Sequence, residues 1–449
     1  MRRWSRRSFL GASAALAAGP ALGAPRKPQE VGRTGGIDVV IVGAGAAGIA
    51  AARRLAAAGR RFALIEAGPE VGGRAITDTK TFGVPYDRGA HWIYAADINP
   101  LAKLTAQTGF DLYPAPPGQR MRIGRRFARE GEMEDFLAGL VRANSAIADA
   151  SRGRVDISCA QAMPKDLGDW RSTIEFVLGP YGAGKELAEI SAIDFSRSVE
   201  RDSSVFCRQG LGALLAKLAP GGTQLSTPVT QIGWSRSPVE ITTASSKLEA
   251  RAAIVTVSTN VLTAGKIKFV PELPKRTLDA AAKLKLGSHD HVALEFAGNP
   301  LGLRRDELMF EKSESARTAA VLANISGSTL CVLDIAGKFG RELSDRGEAV
   351  MVEFAVAWLS GLYGVDIKSL VKRSHATRWN NEPWVLGACS VAAPGAQPSR
   401  RILMEPISNR VFLAGEAAHE TLWGTVGGAW ESGERAADTV VRMLGGKRV

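Results

Sequence analysis

Cysteine is sparse in this chain: Cys159, Cys207, Cys331 and Cys389 are the only four among 449 residues, and no two of them form C-x-x-C. No zinc-finger spacing exists, so the sequence supports no metal site, and the three pairings open to four cysteines stay undecided. Equally absent is an apolar run of the roughly 20 residues needed to span hydrocarbon. The best candidate, residues 9–22, is rich in alanine and broken by Gly11, Gly19 and Pro20, which argues against stable membrane insertion. There is no long block of one charge either. The formal net charge is +12, yet the basic residues are scattered and no RNP pattern occurs, which fits solvated surface charge rather than nucleic-acid binding. An acidic membrane surface or an electron-accepting partner stays open as a use for that charge. Internal repeats and low-complexity linkers are missing too.

What the chain does have is enough apolar content, 45% over 449 residues, for a large core and two or three domains. At its start, Arg2, Arg3, Arg6 and Arg7 precede the apolar stretch 9–22. The hexapeptide Ser5-Arg6-Arg7-Ser8-Phe9-Leu10 matches the twin-arginine export pattern, and small residues near Ala24 offer a cleavage site. Residues 1–24 are therefore expected to be a removable signal, and the mature protein to be periplasmic or secreted. Removing four arginines and no acid lowers the net charge from +12 to +8. Twin-arginine export is associated with proteins folded before translocation, so a cofactor loaded in the cytoplasm would travel with the chain.

The most informative stretch is 38–66, which reads as strand, glycine turn, helix, strand and terminal acid. Val39, Val40, Ile41 and Val42 suit a buried parallel strand, and Gly43, Gly45 and Gly48 then fill G-x-G-x-x-G at the start of an alanine-rich helix. Gly43 permits the tight turn, Gly45 lets backbone approach a pyrophosphate, and Gly48 lets the helix pack on the strand with its first N–H groups facing phosphate. Glu66 ends the second strand, 62–65, where an acid accepts hydrogen bonds from both hydroxyls of an adenosine ribose. Directly after it, Gly72, Gly73 and Arg74 place two glycines and a guanidinium on the far side of the pyrophosphate. That arrangement favours FAD over a nicotinamide. The segment resembles the R-x-G-G-R signature of glutathione-reductase-type flavoproteins, although Glu70 stands in place of the first arginine.

Further along, the chain alternates between two kinds of material. The expected fold class is α/β: a Rossmann-like FAD-binding domain from residues 36–100, 205–265 and 399–449, interleaved with an α+β substrate-binding domain from 101–204 and 266–398. A helix is expected over 138–150, strands over 228–232 and 253–257, a β-rich stretch over 288–300, and helices over 350–362 and 425–444.

Together these motifs resemble the flavin-containing amine oxidases, the family of monoamine oxidases, polyamine oxidases and lysine-specific histone demethylases. The likeness spans nearly the whole mature chain. It rests on the fingerprint, on Gly72-Gly73-Arg74, on Gly89-Ala90-His91-Trp92, on Val229 within Pro-Val-Thr-Gln-Ile, on Val255-Thr256-Val257-Ser258 and on Arg378-Trp379 with Pro383-Trp384. Most telling is Leu413-Ala414-Gly415-Glu416 followed by Gly424-Thr425-Val426-Gly427-Gly428-Ala429. The resemblance implies that Glu416 holds the ribityl chain, that backbone at Thr425 and Val426 meets the flavin's pyrimidine edge, and that Val229 contacts adenine. It implies oxidation of the carbon beside an amine nitrogen to an imine, which water then hydrolyses, with the flavin reoxidised by oxygen or a soluble electron acceptor.

Two departures qualify it. His291 stands where a lysine usually reaches flavin N5 through a water; an imidazole, mostly neutral near pH 7 on its ordinary pKa of about 6.5, would hold that water and also accept a proton from the amine. A strand histidine satisfied by neighbours, with His289 and Asp290 on its surface, is the rival reading. The aromatic pair that flanks the amine is replaced by Cys389 and Thr425, leaving His91, Trp92, Trp384 and Trp423 as candidate pocket residues. A polar or longer amine is accordingly preferred to a small arylalkylamine. Cys389 also lies one residue beyond the position of covalent flavin attachment, so the FAD is expected to be non-covalent. Two alternatives stand beside this reading: an FAD-dependent desaturase or dehydrogenase of an apolar substrate, and a flavin-binding protein without turnover. The identity of the amine and the oligomeric state are left undetermined by sequence.

Overall fold

A computed structural model of the chain describes residues 36–116, 118–198, 203–364 and 366–445; the signal assigned to residues 1–24 lies outside them. The opening unit has the expected order of strand β1 (Ile37–Val42), helix α1 (Ala46–Ala57) and strand β2 (Phe62–Ile65). β1 pairs in parallel with β2 on one side and with the strand Lys247–Val255 on the other. A central parallel strand loses both faces to packing, which is why Val39, Val40 and Ile41 are all buried and the run is continuously apolar. Each such side chain contributes about 1.5–3 kcal/mol by leaving water.

This first sheet continues through the antiparallel strands Val239–Thr243 and Val229–Gly233 to an edge strand, Lys268–Val270. Val411–Leu413 joins it beside Lys247–Val255, so three separated parts of the sequence build one sheet. The edge strand lies past the boundary expected at residue 265. Phe269 packs against the apolar core that contains Ile232, and this draws residues up to 270 into the first sheet. On the sheet's helical side, α1 meets the closing helix Val426–Met443 so closely that a Cβ on Gly433 would lie 2.0 Å from the Ala47 carbonyl oxygen. Arg54 and Asp438 clamp the same crossing at 2.7 Å.

The second sheet has the order Val371–Ala376, His289–Phe296, Leu330–Ala336, Ala320–Ala323, Glu307–Glu311, Arg120–Ile123 and Arg126–Phe127. Its pairings are antiparallel except that between Glu307–Glu311 and Arg120–Ile123. Helices Gly337–Arg346 and Glu348–Tyr363 cover one face, burying Val292, Leu294, Phe296, Leu333 and Ile335. On the opposite face lie Ala293, Leu308, Leu322 and Val332, in a core shared with the helix Glu130–Ala150. Side chains alternate along a strand. His289 and His291 therefore share the face of Ala293, while Asp290 turns toward the helices and is fully buried. Its carboxylate accepts hydrogen bonds from Thr377 Oγ1 at 3.0 Å and Trp379 N at 2.7 Å, so Asp290 is an anchor between strands rather than a surface residue.

The helix expected over 138–150 begins earlier, at Glu130. Glu132 folds back to accept from the Arg129 N–H at 2.8 Å and caps the first turn. All four cysteines are free thiols, and burial pushes those of Cys159 and Cys331 up to about 12. Among the described residues, no helix is long and apolar enough to cross a membrane.

Candidate active site

A cavity of about 960 Å³ extends from the glycine turn after β1 to the inner face of the second sheet. At its first end the backbone sets the surface. Gly43 has φ +103°, and a Cβ on Gly48 would lie 1.9 Å from the Gly43 carbonyl oxygen, so turn and helix fit only without side chains. Gly45 differs: a Cβ there would meet nothing closer than 3.8 Å, because the residue faces open cavity. It is also the N-cap of α1 and offers no side-chain cap, which leaves the first N–H groups of the helix for a ligand. Glu66 closes this end. Its carboxylate accepts from Ala44 N at 2.7 Å and Gly68 N at 2.8 Å, and burial raises its pKa above the ordinary range against the pull of those bonds.

Opposite the turn, Gly72 (φ +117°) and Gly73 (φ +62°) bring the following loop against it, with Gly72 N donating to Ala44 O at 2.9 Å. Glu70, which replaces the usual first arginine, forms an ion pair with Arg88, so a guanidinium returns to this loop from another part of the chain. Arg74 reaches the other way. Its Nη1 donates to Glu416 Oε1 at 2.9 Å and to the Ala388 carbonyl. Glu416 also accepts from Ser390 Oγ at 2.6 Å and Gly424 N at 3.0 Å. Burial pushes Glu416 up, but the charge of Arg74, the Ser390 hydroxyl and Arg400 bring it below the ordinary carboxylate value. Val229, Thr425 and Val426 line the same cavity. Thr425 caps the closing helix by accepting from Gly428 N at 3.0 Å, so its hydroxyl is engaged and the helix N-terminus borders the cavity.

The far end is built from side chains. His291 Nε2 lies 3.1 Å from Asp334 Oδ1, and its Nδ1 lies 3.3 Å from the Asp87 carbonyl oxygen. Both neighbours only accept, so each favours a hydrogen on the ring nitrogen that faces it. Burial pushes the His291 pKa down, but Asp334 outweighs it and holds the ring above the ordinary histidine value. Asp334 thus biases His291 toward its protonated form, relative to the mostly neutral ring expected from the ordinary histidine value. Nor is its neighbour a bland surface residue, since His289 Nε2 lies 2.9 Å from the same Asp334 oxygen and lines the cavity.

Besides His375, whose buried Nδ1 has no hydrogen-bond partner, a free imidazole nitrogen on the cavity wall belongs to His91. Its Nδ1 donates to Asp87 Oδ2 at 2.8 Å, whereas Nε2 is buried and has no hydrogen-bond partner. Asp87 is itself fixed by Leu211 N at 3.1 Å and Gly212 N at 3.3 Å, at the start of the helix Leu211–Leu218, where a carboxylate is favoured by the helix dipole. Trp92 stacks on Tyr94 with ring centres 6.0 Å apart, and both border the cavity with Tyr181. Cys389 borders it as well; its thiol donates to the Ala183 carbonyl at 3.5 Å. Trp384 lines the cavity but is 38% exposed under Lys266, which leads into the first sheet, so it sits apart from the second-sheet cluster. Trp423 is not a pocket residue. It is buried, donates from Nε1 to the Asp194 carbonyl at 3.2 Å and packs 4.8 Å from the guanidinium of Arg400. Arg400 is wholly buried and forks onto Asp194 with two bonds of 2.7 Å, a network behind Glu416 that no local pattern announces.

These residues fit a dinucleotide carrying a second ring system: Glu66 and Val229 at the adenosine end, the cradle at Gly45 for pyrophosphate, and Glu416 with the helix start at Val426 beyond it. Asp87, Asp334, His289, Tyr94 and Tyr181 are the site residues that sequence reading did not assign. A signal existed for one of them, because Asp87 and His91 stand four residues apart on either side of Gly89-Ala90.

A family model of flavin-containing amine oxidoreductases matches residues 46–441. Lysine-specific histone demethylase 2 of Homo sapiens is 26% identical over 90% of this chain and 53% of that protein. Polyamine oxidase 4 of Oryza sativa subsp. japonica is 26% identical over 89% of this chain and 88% of its own. The chain spans about half the length of the histone demethylases it matches. Among solved structures, cyclohexylamine oxidase from Brevibacterium oxydans IH-35A superposes with a TM-score of 0.75 at 19% identity, covering 92% of this chain and 100% of that one. Putrescine oxidase bound to putrescine gives 0.74 at 20% identity, covering 90% and 99%. Likeness at that identity speaks for the fold. The family match covers most of the chain, and with it the chain belongs to the flavin-containing amine oxidoreductases, with a flavin as its cofactor.

Proposed function

We propose that this chain oxidises an amine with an apolar body, using FAD, and that His91 takes up the amine's proton. The observation that carries the reading is the buried, unpartnered Nε2 of His91 in the cavity that also holds the dinucleotide cradle. Bound FAD supplies the two-electron oxidation. An ammonium nitrogen has no lone pair to assist that step, so the chain must take a proton first. In His91 the hydrogen sits on Nδ1, facing a carboxylate that only accepts, and Nε2 is left as the basic atom. His291 stands in place of the family's lysine, held by Asp334 and the Asp87 carbonyl. The start of the helix Val426–Met443 adds the positive end of its dipole at the cavity wall.

The substrate class follows from the lining. Leu308, Leu322, Ile325 and Val332 with Tyr94 and Tyr181 make an apolar and aromatic wall, and the two acids there, Asp87 and Asp334, are already engaged. Among the described residues, no acid of that end is left for a second ammonium. On this lining a monoamine is preferred here to the polar or longer amine expected from sequence, with Tyr94 and Tyr181 as the aromatic part of the wall. The apolar wall also suits a desaturase, but a desaturase has no use for a fixed imidazole with a free nitrogen. Comparing kcat/KM for cyclohexylamine and putrescine tests the class. Cyclohexylamine should win by at least tenfold; a putrescine preference would overturn it.

We also infer that residues 1–24 direct twin-arginine export to the periplasm or beyond, on the strength of Ser5-Arg6-Arg7-Ser8-Phe9-Leu10 and the apolar stretch after it. Replacing Arg6 and Arg7 by lysine should leave the protein in the cytoplasmic fraction; continued export would refute the assignment. Oxygen or a soluble carrier reoxidises the flavin, and the rate of recolouring on admitting air separates the two.

A further inference from the structure

We propose that His289, His291 and Asp334 bind one divalent transition-metal ion of the zinc class on the wall of the cavity. The three arise from one rigid sheet. His289 and His291 alternate on the same face of their strand, and Asp334 stands directly across from His291 in the antiparallel register. Their ligand atoms all lie within 4.8 Å of one another. The two Nε2 atoms converge on a single carboxylate oxygen, at 2.9 Å and 3.1 Å. Bonds of about 2.0–2.2 Å to imidazole nitrogen and carboxylate oxygen require ligand atoms about 3.0 Å apart at right angles and about 3.4 Å apart in a tetrahedron. The two nitrogen-to-oxygen separations, 2.9 Å and 3.1 Å, match the right-angle case, so an ion fits in place of the hydrogens shared with Asp334.

The surroundings agree. His291 Nδ1 donates to the Asp87 carbonyl at 3.3 Å, which aims Nε2 at the site, the orienting bond that metal-bound histidines ordinarily have. Two imidazoles and one carboxylate suit zinc, cobalt, nickel, copper or ferrous iron, and disfavour calcium and magnesium, which prefer all-oxygen sets. Three protein ligands leave a coordination position open, and all three residues line the cavity, which gives the ion its way in. The sequence hides the site, because H-x-H followed by an aspartate more than forty residues later matches no metal spacing.

The test uses flavin-loaded protein stripped of metal and kept free of amine, so its outcome is independent of the proposed turnover. Co(II) is added while its visible ligand-field absorption is followed, and Zn(II) binding is measured by calorimetry. One equivalent per chain is expected. His289→Gln and Asp334→Asn should each weaken binding by at least tenfold while retaining FAD, and Cys389→Ser should leave it unchanged. Should Asp334→Asn fail to retain FAD, His289→Gln, whose side chain is the more exposed, decides alone. Absence of stoichiometric binding, or binding that survives His289→Gln, would overturn the proposal.

Discussion

At the dinucleotide end of the cavity, Gly43, Gly45, Gly72 and Gly73 set the surface with Glu66 and Val229 beside them; at the substrate end, His91, His289, His291 and Asp334 converge from three separate segments. The first end recognises through backbone N–H groups and a helix terminus, whose positions follow from local chain geometry. The second works through side chains whose meeting depends on strand register. The difference teaches that binding and chemistry here are separable: damage to one end should spare the other.

The sharpest way to break that comparison is at His91. His91→Ala is expected to slow anaerobic flavin reduction by about 10²–10⁴-fold, the usual worth of a positioned base, with FAD content unchanged. Stopped-flow absorbance gives the rate and the flavin-to-protein ratio gives the content; loss of both together would show that the ends are not separable. Glu66→Ala should do the reverse. Losing hydrogen bonds to a charged group costs about 1.5–3 kcal/mol, or about 10–100-fold in FAD affinity, while the loaded fraction is reduced at the normal rate.

A glycine pair sharpens the first half further. Gly48→Ala drives its Cβ to 1.9 Å from a carbonyl oxygen and should lower unfolding stability by about 1–3 kcal/mol or more in apo and holo protein alike. Gly45→Ala makes no contact closer than 3.8 Å and should leave apo stability alone while lowering FAD affinity about tenfold. Equal thermal shifts for the two apo variants would contradict this. The smallest effect concerns pH. His291 is held above its ordinary pKa, so its stabilising contribution is full below the ordinary histidine value and is lost as pH rises through the raised one. His291→Asn should remove that segment from the pH dependence of the unfolding midpoint; an unchanged profile would separate His291 from Asp334.

The dinucleotide end was legible in sequence because its requirements are local: a strand, three glycines, a helix and an acid at fixed spacing. Glu416 was legible for a similar reason, through the turn that follows Val411–Leu413. Trp423 misled because a large side chain next to Gly424 can face cavity or core, and only the buried pair Arg400 and Asp194 turns it inward. His291 lines the cavity, but its bond to Asp334 was not legible, since Asp334 reaches it from a strand more than forty residues away. Lys268–Val270 escaped its sheet for the same reason: an edge strand of three residues has no pattern of its own.

The most direct test of the account is an anaerobic titration of the purified flavoprotein with cyclohexylamine, following the flavin's visible absorbance in the wild type and in His91→Ala. The account predicts stoichiometric bleaching in the wild type and far slower bleaching in the variant at equal FAD content. A wild-type flavin that no amine bleaches would contradict it.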